Sequence, residues 1–461
     1  MRQIFFLTLL LCTFVKPALT YGETQSNKKT LPAGWTSGYA SEPVFNSRVF
    51  WVEAGKGNDK TLLLVHGLGE KGWRDWEKLI PQLAKTHRVL AIDLPGFGRS
   101  ENPGGKYSPT RYAQMIKALA DKSGIKRFDL MGHSMGGAVA LRFASHYPDS
   151  VDHLVLISVA GVLERSTFAQ YSSALPLEAG MVSYFNALPE GVQDGISDLV
   201  RSVGGGLLRW DALPDPTKVI SGSEMTWSAA LGEHPNLNAA LALVEEDYSG
   251  DLQQLEVPTL ILWGKEDPVA PLRTGELLDG QIPNSTFLVY AGMGHMPVNY
   301  PEQIGQPIAT FLQQTTWQAP SIEPQKNKGD FSCKDQSDLT LGGDYRHITI
   351  THCNNIVLRN VQAQSIHITD SNVTMTHVSA QADEVALSVN ASNVTITNGH
   401  FSGKTGLAAS DSHLDFAGVE LIGRQEAMTN QKASRYVFSV SHLSSADHRQ
   451  SLHGVYTFGS D

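Results

Sequence analysis

The sequence of 461 residues predicts two architectures in one chain: an α/β sheet with a helical cap, then a separate all-β domain, a short β-solenoid. Three observations lead to this prediction. Short aliphatic runs alternate with amphipathic segments between about residues 61 and 312, which indicates a parallel sheet covered on both faces. The alternation is interrupted between about residues 162 and 250. After residue 328 a repeat of about twenty residues begins.

Residues 1–20 have the features of a secretory signal peptide. Arg2 supplies a positive charge, residues 4–15 are almost entirely apolar, and small residues follow Pro17. The apolar run is too short to span a bilayer comfortably, so an uncleaved membrane anchor is the less favoured alternative. No later segment is apolar enough to cross a membrane. We therefore expect a periplasmic or secreted protein with no transmembrane segment after signal removal.

Six strands and four helices are predicted in the α/β domain, which we place at residues 34–312. Each strand is a short run rich in Leu, Ile and Val that is bounded by Gly, Pro or Asp. The strands are Thr61–Val65, Arg88–Ile92, Phe128–Met131, His153–Ser158, Thr259–Trp263 and Thr286–Tyr290. The helices are Asp75–Lys85, Pro109–Ser123, Met135–Tyr147 and Pro301–Gln313. Pro109 suits a helix start because its missing N–H costs nothing there.

The third predicted strand leads into Gly132-His-Ser-Met-Gly136, a Gly-x-Ser-x-Gly motif at the start of a helix. A serine on such a sharp strand-to-helix turn holds its hydroxyl exposed above the sheet. Gly132 and Gly136 fit this turn because its backbone segments approach closely and leave no room for side chains. Ser134 is therefore the candidate nucleophile for acyl chemistry.

A serine hydroxyl becomes an effective nucleophile when a base removes its proton and a third group orients that base. Asp267 follows the first strand after the interruption, and His295 follows the last strand. This is the chain order Ser, Asp, His that accompanies a serine on such a turn. Glu266 is an alternative orienting carboxylate. A role of His295 in capping the next helix is the structural alternative. We predict Ser134, His295 and Asp267 as the catalytic residues.

Two backbone N–H groups are candidates for binding an oxyanion. Met135 follows the nucleophile, and Leu68 lies in the His-Gly-Leu-Gly loop after the first predicted strand. Gly67 lets that loop approach the substrate. We expect His66 to support the loop and His133 to be structural.

These residues together resemble the α/β-hydrolase fold family over about residues 34–313. The likeness lies in five motifs in this order: His66-Gly67, Asp93-Leu-Pro-Gly-Phe-Gly-Arg-Ser100, Gly132-His-Ser-Met-Gly136, Gly264-Lys-Glu-Asp267 and Gly294-His295. The resemblance implies a Ser–His–Asp triad, a mixed sheet with a helical cap, and no cofactor. Members that resemble epoxide hydrolases or haloalkane dehalogenases have Asp at the position of Ser134. Asp93 is then expected to stabilise its loop.

The interruption at about residues 162–250 is typical of a cap inserted above the sheet. Its predicted helices are Glu178–Asn186, Val192–Val203 and Leu237–Glu245. Inserts at this point commonly shape a binding pocket. The alternative is an insert that only stabilises the fold. Residues 313–328 carry two prolines without periodicity, which predicts a linker.

A repeat occupies residues 329–461, which we predict to be a β-solenoid-like domain. Ser371-Asn-Val-Thr-Met-Thr aligns with Ser392-Asn-Val-Thr-Ile-Thr and Ser412-His-Leu-Asp-Phe-Ala. Alternation of apolar and polar residues within such a period fits one coil of a solenoid, with Ser, Asn and Thr at corners and on the outer face. An antiparallel sandwich is the alternative. From Arg424 the repeat fades, as expected for a terminal capping segment.

Cys333 and Cys353 are the cysteines that remain after signal removal. In an exported protein they are expected to form a disulfide, with two free buried thiols as the alternative. Neither belongs to a Cys-x-x-Cys pair, so we predict no metal site.

The net charge of −10 argues against a nucleic-acid partner. The leading hypothesis is an exported serine hydrolase that cleaves a small-molecule carboxylic ester through an acyl-enzyme. The same triad serves amide, lactone, thioester, C–C bond and perhydrolysis chemistry, so these alternatives stay open. A hypothesis of another class is a module that binds a cell-envelope polysaccharide or protein through the C-terminal domain, with the hydrolase-like part as a scaffold.

Overall fold

A computed structural model describes residues 31–167, 223–232, 234–314, 328–445 and 448–459. The predicted signal peptide, the helices predicted at Glu178–Asn186 and Val192–Val203, and most of the predicted linker lie outside these ranges. Within them, no helix is both long and apolar enough to cross a membrane.

Eight strands form the sheet of the first domain, in the order β1-β2-β4-β3-β5-β6-β7-β8. They are β1 Thr36–Glu42, β2 Ser47–Ala54, β3 Thr61–Val65, β4 Arg88–Ile92, β5 Phe128–His133, β6 Val151–Ile157, β7 Thr259–Gly264 and β8 Ser285–Tyr290. β2 pairs antiparallel with β1 and β4, and the other neighbours are parallel. The α/β sheet is therefore confirmed, and the six predicted strands are all present. The hairpin β1–β2 was not predicted from the sequence.

Helices cover both faces of this sheet. Within the described residues, the α-helices are α1 Ile80–Leu83, α2 Pro109–Lys122, α3 Met135–His146, α4 Glu224–Leu231, α5 Pro235–Leu243, α6 Leu272–Gln281 and α7 Pro301–Phe311. Short 3-10 helices lie at Gly72–Trp76, Pro148–Ser150, Leu252–Gln254 and Pro297–Asn299. The single helix predicted at Asp75–Lys85 is wrong. Pro81 is tolerated only in the first turn of a helix, so α1 has to begin there.

The core lies in two layers, one on each face of the sheet. One layer joins α2 and α3 through Ile116 and Phe143, and the other joins α1 and α7 through Leu83 and Ile304. Every residue of β5 is buried between them. The turn after β5 is therefore held by a rigid platform.

The second domain is a solenoid whose strands pair in parallel from coil to coil. The strands are β9 Phe331–Lys334, β10 Thr340–Asp344, β11 His347–Thr351, β12 Ile356–Ala363, β13 Ser365–Thr369, β14 Asn372–Gln381, β15 Val385–Asn390, β16 Asn393–Ser410, β17 His413–Asn430, β18 Ser434–Ser445 and β19 His448–Phe458. Ile350, Ile368 and Val389 lie in register and are buried. The parallel pairing excludes the antiparallel sandwich, and among the described strands of this domain only β18 and β19 pair antiparallel.

A column of serines lines one corner of the solenoid. The N–H of Ser371 donates to Ser392 Oγ at 3.0 Å, Ser392 N–H to Ser412 Oγ at 3.2 Å, and Ser412 N–H to Ser434 Oγ at 3.2 Å. The capping segment predicted from Arg424 therefore begins later in the chain, at β19. β17 and β18 continue the parallel coils, and the antiparallel strand β19 covers β18.

Cys333 in β9 and Cys353 after β11 are joined by a disulfide between neighbouring coils. Both cysteines are buried. The predicted disulfide is therefore present.

Candidate active site

Ser134 lies on a tight turn between β5 and α3, with φ 55° and ψ −119°. A Cβ added at Gly132 would approach the Gly136 carbonyl oxygen to less than 3.0 Å, and one at Gly136 would approach Val65 O equally closely. Only glycine fits at these two positions, as the sequence analysis expected. The turn places the serine at the carboxyl end of β5, and the residue is 6% exposed.

The structure brings Ser134, His295 and Asp267 together. The Oγ of Ser134 lies 2.9 Å from His295 Nε2. The Nδ1 of His295 lies 2.9 Å and 3.0 Å from the two carboxylate oxygens of Asp267. With the proton on Nδ1, the Nε2 lone pair faces the serine hydroxyl, so the imidazole can act as a base toward it.

The Asp267 carboxylate is held by its own loop. Its Oδ1 accepts the N–H groups of Val269 and Ala270 at 2.8 Å and 2.9 Å. Burial works to raise the pKa of Asp267, but the hydrogen bonds from His295, Ala270 and Val269 outweigh it and hold the pKa below its usual value. Trp263 Nε1 donates to Ala270 O at 3.0 Å and fixes the loop against β7. The carboxylate is therefore kept ionised to face the imidazole.

Glu266, the alternative orienting carboxylate, has another contact. Its Oε2 accepts the N–H of Gly292 at 2.7 Å, at the start of the loop that carries His295. The geometry therefore favours Asp267 as the orienting acid and gives Glu266 a role in bracing the histidine loop. This role of Glu266 was not predicted from the sequence.

His133 anchors the same loop from the other side. Its Nε2 lies 2.7 Å from the carbonyl oxygen of His295. Burial and the neighbouring His295 lower the pKa of His133 to about 3, so the ring is neutral and Nε2 carries the hydrogen that this carbonyl accepts. His133 has a structural contact, and what it holds is the loop that carries His295. A polar residue directly before Ser134, at the end of a buried strand, could have indicated this role from the sequence.

The predicted oxyanion loop lies against the nucleophile. A Cβ added at Gly67 would lie 3.0 Å from Ser134 Cβ and 3.1 Å from His133 Nδ1, so a side chain there would crowd the nucleophile. Within the described residues, neither Leu68 N–H nor Met135 N–H donates a hydrogen bond. Met135 N–H also lies at the positive end of α3, where the first N–H groups of a helix have no partner within the helix.

Two polar side chains hold the loops around this site. His66 accepts the N–H of Leu94 at Nε2 (3.0 Å), and its Nδ1 lies 2.7 Å from Gly67 O, so His66 supports the oxyanion loop. Asp93 accepts the N–H groups of Trp73 and Arg99 at 2.6 Å and 2.8 Å. It thereby joins the two loops that contain Trp73 and Arg99.

The described part of the cap is fastened to the core by a buried amide. Asn238 Oδ1 accepts Trp227 Nε1 at 2.6 Å and Tyr107 N–H at 3.0 Å, and its Nδ2 donates to Gly105 O at 2.7 Å. α5 begins at Pro235 and ends at Leu243, close to the helix predicted at 237–245. No sequence pattern singled out Asn238, because an asparagine in a short helix is usually exposed.

Among the described residues, no group of three or more His, Cys, Asp or Glu side chains is arranged to hold a metal ion. The chemistry that the site can perform with its own residues is nucleophilic attack by a serine, with proton transfer through a histidine.

The alpha/beta hydrolase fold family matches residues 60–299. An uncharacterized protein of Mycobacterium tuberculosis is 30% identical over 252 residues, which are 52% of this chain and 71% of that protein. A 2-hydroxy-6-oxo-2,4-heptadienoate hydrolase of Pseudomonas putida is 29% identical over 249 residues, 53% of this chain and 84% of that enzyme. The solved structure of a membrane phospholipase A is 26% identical, with a TM-score of 0.43, and the match covers 60% of this chain and 86% of that one.

Proposed function

The chain belongs to the α/β-hydrolase fold family, and we propose that it is an exported serine hydrolase that cleaves a carboxylic ester through an acyl-enzyme. The single observation that carries the catalytic part of this proposal is the continuous path of hydrogen bonds from Ser134 Oγ through His295 to Asp267. An ester is the simplest substrate for this arrangement, because its alkoxide leaving group needs one proton from the histidine.

The proposed reaction has two halves. Ser134 Oγ attacks the ester carbonyl while its proton passes to His295 Nε2, and Asp267 stabilises the imidazolium. The N–H groups of Leu68 and Met135 bind the oxyanion of the tetrahedral intermediate. His295 then protonates the leaving alcohol, which departs as the C–O bond breaks. A water molecule, deprotonated by His295, hydrolyses the acyl-enzyme to the acid and restores Ser134.

The test is hydrolysis of p-nitrophenyl esters from acetyl to palmitoyl, with fluorophosphonate labelling of the same samples. Wild type is expected to release nitrophenol with a burst equal to one acyl group per active site, and Ser134→Ala is expected to lose both the turnover and the label. Equal rates for wild type and Ser134→Ala would overturn the proposal.

A second candidate is hydrolysis of a C–C bond. The relative from Pseudomonas putida is named for 2-hydroxy-6-oxo-2,4-heptadienoate, a substrate without an ester bond. The decisive comparison measures loss of the absorbance of this dienoate beside nitrophenol release, at equal enzyme concentration. A higher kcat/KM for the dienoate would replace the ester proposal with this one, whereas the reverse order would support the ester.

Export is proposed from the N-terminal sequence, and the disulfide between Cys333 and Cys353 supports it. Disulfides persist in oxidising compartments such as the periplasm or the cell exterior. Expression of the full chain in a bacterium, followed by fractionation and N-terminal sequencing, tests this part. We expect a mature protein that begins near residue 20 outside the cytoplasm, and a full-length cytoplasmic product would refute export.

A further inference from the structure

The C-terminal solenoid is docked on the helix that follows the predicted catalytic acid. This helix, α6, begins at Leu272, shortly after Asp267 in the chain. The sequence is compatible with a solenoid that binds a cell-envelope polysaccharide or protein. Its described contacts with α6 indicate a more specific role.

The two sides of α6 face different domains. Leu278 is buried in the core of the hydrolase domain, whereas Leu277 is buried on the solenoid side, with its Cδ1 close to Gly418. Arg273, Glu276 and Gln281 form a polar stripe on the same side of the helix as Leu277, which lies four residues from both Arg273 and Gln281. Each of these three residues makes a hydrogen bond to the solenoid. In a hydrolase domain alone, this polar stripe would face water.

Arg273 is bound through all three nitrogens of its guanidinium group. Its Nε donates to Thr397 Oγ1 at 2.8 Å, and its Nη1 donates to Asp415 Oδ2 at 2.9 Å. Its Nη2 donates to the backbone oxygens of Ile396 at 2.9 Å and Asp415 at 3.2 Å. The side chains of Arg273 and Asp415 are only 16% and 25% exposed. Such a fork of charge-assisted hydrogen bonds defines both distance and orientation.

One corner column of the solenoid packs along the same helix. Asn398, Gly418 and Val440 occupy this corner in successive coils, with φ values of 54°, 66° and 49°. Asn398 Nδ2 donates to Glu276 O at 2.6 Å, and Gln281 Nε2 donates to Gly418 O at 3.2 Å. A positive φ is costly for the β-branched Val440, which is buried within the core cluster of the hydrolase domain. The contact is therefore packed as well as hydrogen-bonded.

The solenoid also holds the segment that leads from β6 into the cap. The N–H of Glu164 donates to Ser439 Oγ at 2.8 Å, and Thr167 Oγ1 donates to Asp415 Oδ2 at 3.3 Å. Asp415 thus accepts hydrogen bonds both from Arg273 of α6 and from Thr167 in the segment that leads into the cap.

We propose that Arg273 and Asp415 are positioning residues through which the solenoid holds the Asp267 loop in its catalytic geometry. The inference rests on the proposed function, because it concerns the same triad. Thr274 N–H donates to Pro271 O at 2.8 Å, and the adjacent Ala270 N–H binds Asp267. A shift of the first turn of α6 therefore moves a donor of the Asp267 carboxylate. A displacement of about 1 Å in such a site can cost about 10²-fold in rate.

The experiment compares full-length Arg273→Met and Asp415→Asn with wild type. Arg273→Met keeps much of the side-chain bulk without its donors, and Asp415→Asn conserves the side-chain volume. The matched control is Arg346→Met, which breaks an exposed ion pair with Asp330 in the first coils, at 2.7 Å. Each protein is measured for kcat, KM, the pH dependence of kcat/KM, thermal unfolding, and the downfield proton resonance of the His295 Nδ1–H.

We expect Arg273→Met and Asp415→Asn to lower kcat about tenfold or more, with KM within about twofold of wild type. The acid limb of kcat/KM should move to lower pH, because a displaced Asp267 stabilises the imidazolium less. The downfield resonance should broaden or disappear in these variants and persist in Arg346→Met. Arg273→Lys keeps the charge without the fork, and it should recover part of kcat.

Two results would overturn the inference. The first is that Arg273→Met and Asp415→Asn both keep the kcat, the pH profile and the downfield resonance of wild type. Such a result, even with a lower unfolding temperature, would mean that the contact only stabilises the fold. The other is an equal loss in Arg346→Met. The resonance needs no substrate, so it tests the inference even if wild type hydrolyses no ester. Failure of Ser134 labelling in wild type would instead count against the proposed function alone.

Discussion

Replacement of Asp267 by Asn tests the orientation of the catalytic histidine. In wild type, Oδ1 accepts the N–H groups of Val269 and Ala270, and Oδ2 lies 2.9 Å from His295 Nδ1. An Asn at this position satisfies the two N–H groups with its amide oxygen. Its NH₂ group then faces His295 Nδ1 and requires that atom to accept a hydrogen bond. The imidazole proton must move to Nε2.

The expected loss in kcat follows from that tautomer. A protonated Nε2 lies 2.9 Å from Ser134 Oγ and can donate to the serine but cannot take its proton. In serine proteases with the same constellation, the equivalent tautomer lowers kcat by about 10⁴-fold. This factor corresponds to about 5.4 kcal/mol of transition-state stabilisation, at about 1.36 kcal/mol for each tenfold change. KM should change little, because the carboxylate is buried behind the imidazole.

The assay is pre-steady-state hydrolysis of p-nitrophenyl acetate by full-length protein, with fluorophosphonate labelling as a second readout. The matched control is Glu266→Gln, whose amide oxygen still accepts the N–H of Gly292 and which should keep nearly full activity. If Asp267→Asn retained more than about a tenth of wild-type kcat, or if Glu266→Gln lost as much, the assignment of the orienting acid would be wrong.

Three further outcomes are expected. Gly132→Ala should abolish fluorophosphonate labelling and destabilise the fold by at least about 2 kcal/mol, because its Cβ would meet backbone atoms. Gly250→Ala, whose Cβ would meet nothing within 4 Å, should be neutral in both assays. Removal of the disulfide by Cys353→Ser opens a link across 20 residues and should lower the unfolding free energy by about 3 kcal/mol in urea titrations. The pKa of His133 falls from 6.5 to about 3 on folding, so between these pH values the unfolded state binds one more proton and acid lowers stability. His133→Phe should therefore remove about 1.4 kcal/mol per pH unit from that slope in urea titrations, and an unchanged slope would contradict the buried neutral ring.

The parallel strands could be predicted because their burial leaves a local signal. β3 and β4 are continuous aliphatic runs, and their predicted bounds match the structure. β1 was missed because it lies at the sheet edge and most of its side chains are exposed or half-buried, so it has no apolar run. The coil that contains β18 was assigned to the capping segment for a related reason. Ser434 continues the serine column, but the residues around it no longer resemble the earlier copies.

The docking of the two domains left no signal that sequence reasoning could use. Arg273 and Gln281 belong to a polar stripe, and a polar helix face is usually solvated. Their partners Asp415 and Asn398 lie more than one hundred residues away in the chain. Only the packing of the solenoid corner against α6 shows that the stripe is part of an interface.

The amino-acid sequence by itself determined the hydrolase fold and the candidate site, because the glycines of the Ser134 turn and the chain order of Ser, Asp and His are local properties. It also determined the solenoid, because alternation within a period of about twenty residues is local to each coil. The tertiary structure decided which carboxylate faces His295, since Glu266 and Asp267 differ only in the direction that the folded loop gives them. It also decided that the solenoid packs against α6, because complementarity between surfaces that are distant in the chain exists only once both have folded.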